Sequence, residues 1–193
     1  MKRSKKAALV LMVPATTFLL AGCSEEPEQA MVFNGPSECS SGGFSSPEAC
    51  LADYKAAQAL HPQVAPKYLS KAECETDFGS GQCETAPQQT TAGGSVFMPM
   101  MMGYMMGSML SRPQTGGQNF QQTPSTARSN IPTQPLYKSR DDRNTFRTAT
   151  NKPVAKSTGL VSVKPSQLKP QAGQLVRRGG FGQQAAMRSS YGG

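Results

Sequence analysis

The sequence predicts a small α-helical, disulfide-stapled region with a long, largely disordered C-terminal tail. Three observations carry that expectation. Cys39, Cys50, Cys74 and Cys83 crowd into 45 residues, and the 110 residues that follow contain no cysteine. Two stretches within the same window read as helix starts. From 111 to 193 only twelve of 83 residues are Leu, Ile, Val or Phe, about 14% against the roughly 20% associated with folded chains.

Residues 1–22 read as an address. Lys2, Arg3, Lys5 and Lys6 precede the apolar run from Ala7 to Leu20, and Leu20-Ala-Gly-Cys23 follows. Positive charge, a short apolar stretch and small residues before a cleavage site make a secretory signal. The run is too short to span a bilayer as a lasting helix, and Pro14 interrupts it. The last four residues resemble the lipobox of bacterial lipoproteins, in which the cysteine thiol receives diacylglycerol and the new amine is acylated with a chain such as palmitate. Cys23 is therefore the expected lipidation site, 23–30 the anchor linker, and the membrane a partner through the lipid. Ser24 in place of Asp implies delivery to the outer membrane, facing the periplasm.

Residues 31–85 form the expected stapled region. An even cysteine count in an exported chain reads as two disulfides. Of the three pairings, Cys39–Cys50 with Cys74–Cys83 closes the shortest loops, and the choice stays open. Spacings of ten, twenty-three and eight residues, with His61 the only histidine, suit a metal poorly, so no metal or cofactor is expected. Ser46-Pro-Glu-Ala-Cys50 and Ser70-Lys-Ala-Glu-Cys74 repeat at an offset of 24. Ser46 can cap a helix that has Pro47 at its first position, and Ser70 with Glu73 forms a capping box. Pro62 and Gly79 are the expected helix ends. Large apolar residues are few here, and a disulfide adds about 2–4 kcal/mol.

Residues 95–110 form a methionine-rich apolar segment with three readings. Gly103 and Gly107 make a GxxxG step that would let a packing or membrane-contact helix approach closely. The thioethers of Met98, Met100, Met101, Met102, Met105 and Met106 are soft ligands that select Cu(I), which makes a periplasmic Cu(I)-binding protein the alternative function. The third reading is an adaptable surface for a protein partner.

The 111–193 tail is basic and of low complexity. Thirteen bases face only Asp141 and Asp142, whereas residues 23–84 hold ten acids against three bases. Contact of the tail with anionic lipid or another polyanion is the functional expectation. Export argues against nucleic acid. Arg177-Arg-Gly-Gly-Phe-Gly182 lacks the strand and helix of a phosphate cradle. Catalysis is not expected, because His61 is the only histidine and paired cysteines leave no free thiol. The function these features imply is a lipid-anchored structural or adaptor protein of the envelope, acting through protein or membrane-surface contacts.

The cysteine framework encloses Ala65-Pro-Lys-Tyr68 and Phe78-Gly79. It is followed by Phe97-Met-Pro-Met100, Gly103-Tyr-Met-Met-Gly107 and Arg178-Gly-Gly-Phe-Gly182. Together these landmarks resemble the proteobacterial family known as domain of unknown function 1190, or uncharacterised protein family 0441. The resemblance spans most of the chain after Cys23. It implies no defined activity and no catalytic residues to carry over. Genes of this family often lie beside those for proteins similar to glutathionylspermidine synthases, which implies an envelope system involving a polyamine or peptide ligase.

Overall fold

The computed structural model describes residues 25–43, 45–107 and 131–191. Cys23, the leader and residues 108–130 lie outside them. At the centre is an antiparallel sheet in the order β5-β4-β1-β8, built from β1 (Glu28–Phe33), β4 (Gly103–Gly107), β5 (Gln134–Leu136) and β8 (Gly159–Val163). Two further hairpins flank it: β2 (Cys83–Gln89) with β3 (Ser95–Pro99), and β6 (Phe146–Arg147) with β7 (Pro153–Ala155). The helices are α1 (Pro36–Ser41), α2 (Pro47–Val64), α3 (Lys71–Phe78) and α4 (Gln183–Tyr191). The expected mainly helical fold with a disordered tail is therefore overturned. The protein is mixed α and β, and two strands of its central sheet come from the tail.

β1 explains why. Ala30, Met31, Val32 and Phe33 are all buried, and period-two alternation divides them between two cores. Met31 and Phe33 pack with Cys39, Cys50, Ala57, Tyr104 and Met106 on the helix side. Ala30 and Val32 pack with Met105, Ile131, Leu136, Phe146, Val163 and Leu168 on the other. The register matches: Met31 lies opposite Met106, Val32 opposite Met105 and Phe33 opposite Tyr104. A third core, around Tyr68, Phe78, Tyr137 and Phe181, joins α3 to the β2–β3 hairpin and the C-terminus. The tail's sparse apolar residues thus bury together with residues of the first half, in cores that the tail does not complete alone.

The local signals hold. The Ser46 hydroxyl accepts the Ala49 N–H and the Ser70 hydroxyl the Glu73 N–H, each at 3.2 Å. The disulfides are Cys39–Cys50 and Cys74–Cys83, between α1 and α2 and between α3 and β2. α3 ends before Gly79, whose φ of 108° suits glycine. α2, however, runs past Pro62 to Val64. In the last turn proline removes only one intrahelical donor, and its carbonyl accepts a hydrogen bond from Lys67 Nζ.

Polar side chains fasten the C-terminal segment. Asp77, buried at the end of α3, accepts N–H bonds from Gly179 (2.6 Å), Gly180 (3.1 Å) and Phe181 (3.2 Å), and the Tyr68 hydroxyl at 3.0 Å. The glycine-rich motif is therefore a cradle for the protein's own carboxylate. Phe181 follows it into the core, 4.6 Å from Phe78 between ring centres. Asp141 accepts the Gln183 and Gln184 N–H groups at the start of α4. Asn151 both donates to and accepts from the Gly182 backbone, each at 2.9 Å.

Replacing Asp77 with Ala strands three backbone donors and a phenol. The expected loss is about 3 kcal/mol or more, read as a lower denaturant midpoint together with early proteolytic release of the C-terminal segment. An unchanged midpoint would contradict this account of the glycine motif.

Candidate functional site

The methionine run is not one element. β3 ends at Pro99, Met100–Met102 cross to the central sheet, and β4 starts at Gly103. The crossing is held by Met100 N–H on the Gln82 carbonyl (2.8 Å) and Met102 N–H on the Leu136 carbonyl (2.9 Å). Met98 is buried in the third core, and Met105 and Met106 lie on opposite faces of β4. Met101 packs at the edge of the helix-side core. The six thioethers thus do not converge on one point. Gly103 and Gly107 serve strand packing. A Cβ on Gly103 would stand 2.6 Å from the Phe33 carbonyl oxygen and 2.8 Å from the Phe146 ring, and Gly107 pairs with Ala30.

Met100 and Met102 remain exposed, at 40% and 39%. They line a cleft of about 370 Å³ with Phe78, Gly79, Ser80, Gln82, Lys138, Ser139 and Arg143. Among the described residues its only charged lining groups are Lys138 and Arg143. The Lys138 ammonium lies 3.9 Å from the centre of the Phe146 ring. Arg143 reaches over Gly79, where a Cβ would come 3.9 Å from its guanidinium. The neighbouring acids have other partners: Asp142 pairs with Arg147 at 2.9 Å, and Asp141 takes the Ser139 hydroxyl at 2.6 Å. Glu38, which Lys138 attracts through space, accepts the Asn34 backbone N–H at 2.7 Å and its side-chain amide at 3.1 Å. Two cations over thioethers and a phenyl ring can hold an anionic group carried on an apolar body. Neither Ser80 nor Ser139 has a histidine beside it.

His61 lies apart and buried. Its Nδ1 is 2.8 Å from the Tyr137 hydroxyl and its Nε2 3.2 Å from a Glu84 oxygen. The carboxylate can only accept, so Nε2 carries the proton and Nδ1 receives the phenol. Burial lowers the His61 pKa, outweighing the attraction of Glu84. Burial also raises Tyr137 and lowers Lys67 nearby. The trio is a strut between α2, β2 and the residue after β5, buried at His61 and Tyr137 and open to solvent at Glu84. Among the described residues no group of three His, Cys, Asp or Glu side chains could hold a metal, and no helix is long and apolar enough to cross a membrane. Cys23 lies outside the described residues. Sequence reasoning missed Lys138 and Arg143, which look like dispersed tail charges until the fold brings them beside Met100 and Met102.

Residues 27–192 match the family described as Protein of unknown function (DUF1190). The chain belongs to this family. A UPF0441 protein of Sodalis glossinidius (strain morsitans) is 31% identical over 198 residues, covering 97% of this chain and 88% of the relative. No solved structure matches the chain. The family is described as one of unknown function.

Two outcomes are expected. Met105→Ala opens a cavity and should cost about 2–5 kcal/mol, and Gly103→Ala about 1–3 kcal/mol by overpacking. Met102→Ala should stay within about 0.5 kcal/mol. Chemical denaturation of the three variants separates packing positions from the cleft position. The second concerns pH. The folded His61 pKa lies below its ordinary 6.5, so its contribution is present above about 6.5 and is lost as pH falls toward the folded value. Stability should therefore drop on acidification below about pH 6.5, and less steeply in His61→Gln. Parallel profiles for the two proteins would rule out His61 as the source.

Proposed function

We propose that this chain is a lipid-anchored cell-envelope protein, held through Cys23 and acting as a structural or adaptor protein. The Met100–Met102 cleft would be its partner-binding surface. The basic leader, apolar run and lipobox-like Leu20–Cys23 support export and acylation. Two disulfides suit an oxidising compartment, and Ser24 supports the periplasmic side of the outer membrane as destination.

The observation that carries the binding assignment is the pairing of two exposed thioethers with two cations in one cleft whose neighbouring acids are committed elsewhere. The occupant that suits it is an acidic segment of an envelope protein bringing an apolar side chain to the methionines. Thioethers adapt to irregular contacts, and the cations set the charge of what enters.

A photo-reactive residue in place of Ser80, which lines the cleft, should cross-link a partner in intact cells. Lys138→Glu with Arg143→Glu should reduce that adduct roughly tenfold or more, because like charges facing one another across an interface cost several kcal/mol. Membrane attachment should not change. An adduct of equal yield in the charge-reversed protein would sink the assignment.

A further inference from the structure

Only a short chain separates the proposed anchor from the fold. Cys23 stands two residues before Glu25. The Glu25 carboxylate accepts the Ser166 N–H at 2.7 Å and also the Ser166 hydroxyl. These bonds first, then the nearby Lys164 and Lys169, hold its pKa below 4.5. Two residues reach at most about 7 Å when fully extended.

Ser166 sits in the 3₁₀ turn Pro165–Gln167, directly after β8. The turn is fixed to the body, because Leu168 behind it is buried and its carbonyl accepts the buried Gln134 amide at 2.9 Å. Strand register orients everything else. β1 starts at Glu28 opposite Val163 and ends at Phe33 opposite Tyr104. Met102 is bonded to Leu136 just ahead of β4, at the Phe33 end. Five residue steps of strand, about 17 Å, therefore separate the Glu25–Ser166 end from the cleft end.

We propose that in the acylated protein the end of the sheet formed by Glu25, Lys164, the Pro165–Gln167 turn and Lys169 rests directly on the phospholipid headgroups, so that the Met100–Met102 cleft opens away from the bilayer. This rests on the lipid-anchored reading. The short tether leaves little room for the body to turn over, and the exposed Lys164 and Lys169 meet headgroup phosphates. Glu26 and Glu28 share this end, so its charge is nearly balanced. The tether, not net charge, seats the surface, and it seats on zwitterionic lipid.

The test uses full-length acylated protein in phosphatidylcholine vesicles that carry nitroxide on a fraction of the headgroups. Acylation and the disulfides occupy the native cysteines, so Gln167→Cys or Ser37→Cys, both at exposed positions, can carry one fluorophore. The label at 167 is expected to lose most of its emission, and the label at 37, beyond the far end of β1, to keep it. A spacer of about ten Gly and Ser residues between Ser24 and Glu25, with a reach of roughly 18 Å, should restore emission at 167. Equal loss at both positions, or no loss at 167, in protein whose mass and vesicle flotation prove acylation, overturns the orientation and leaves the anchor standing. Loss at 167 that survives the spacer overturns the tether as its cause. An unacylated mass overturns the anchor and this inference together.

Discussion

The structure depends on one strand, β1, whose last four residues must be apolar on both faces. β1 lies between β4 and β8, which pair both its edges, and neither its Met31/Phe33 face nor its Ala30/Val32 face meets water. The helices close their core on one face, and Ile131, Leu136, Phe146, Val163 and Leu168 close theirs on the other. The helix-side core draws only on residues of the first half, whereas the other core is filled mainly by the second half and completed by Ala30, Val32 and Met105. The disulfides follow from the same arrangement. All four cysteines are buried within hydrophobic clusters, where they reinforce cores that strand pairing creates.

What could be read in advance was what the chain encodes within a few residues. Ser46, Pro47, Ser70 and Gly79 announce helix ends because capping is decided within one turn. The cysteine count announced two disulfides without their pairing, which is a property of the fold. The strands of the C-terminal half were illegible because they run to only two to five residues. In such short segments composition outweighs periodicity, and a low apolar fraction reads as disorder. A segment whose burial is completed by another part of the chain carries no such signal in its own composition. Gly103 and Gly107 show a second kind of ambiguity: a spacing of four suits a helix face, but an even spacing also keeps residues on one side of a strand.

The cleft was illegible for a different reason. It is assembled from 78–82, 100–102 and 138–143, three segments whose proximity follows from Met102 and Leu136 joining across the end of β4 and β5. Asp77 and the glycine motif it binds lie more than a hundred positions apart. In sequence the motif looks like a recognition element aimed outward, and in the fold it is an internal cap. A glycine-rich run with flanking arginines therefore says that a backbone is available to bind an anion, and not which anion.

The distribution of charge ties these points together. Residues 25–84 carry ten acids and three bases, and residues 131–191 carry eleven bases and two acids, which would suggest two halves joined by ion pairs. Yet His61–Glu84, Lys71–Glu75 and Arg147–Asp142 each lie within one half. Across the junction the acids of the first half bind neutral donors of the second: Asp77 the backbone of Gly179–Phe181, Asp53 the Thr133 hydroxyl, and Glu25 Ser166. Such bonds satisfy the carboxylates chiefly through neutral donors, with Lys164 and Lys169 adding a smaller attraction at Glu25. Joining the halves this way keeps the fold closed while, among the described residues, Lys138 and Arg143 form no salt bridge in the cleft; Glu38 only attracts Lys138 through space. A junction built from ion pairs would have spent the positive charge that a partner would have to meet.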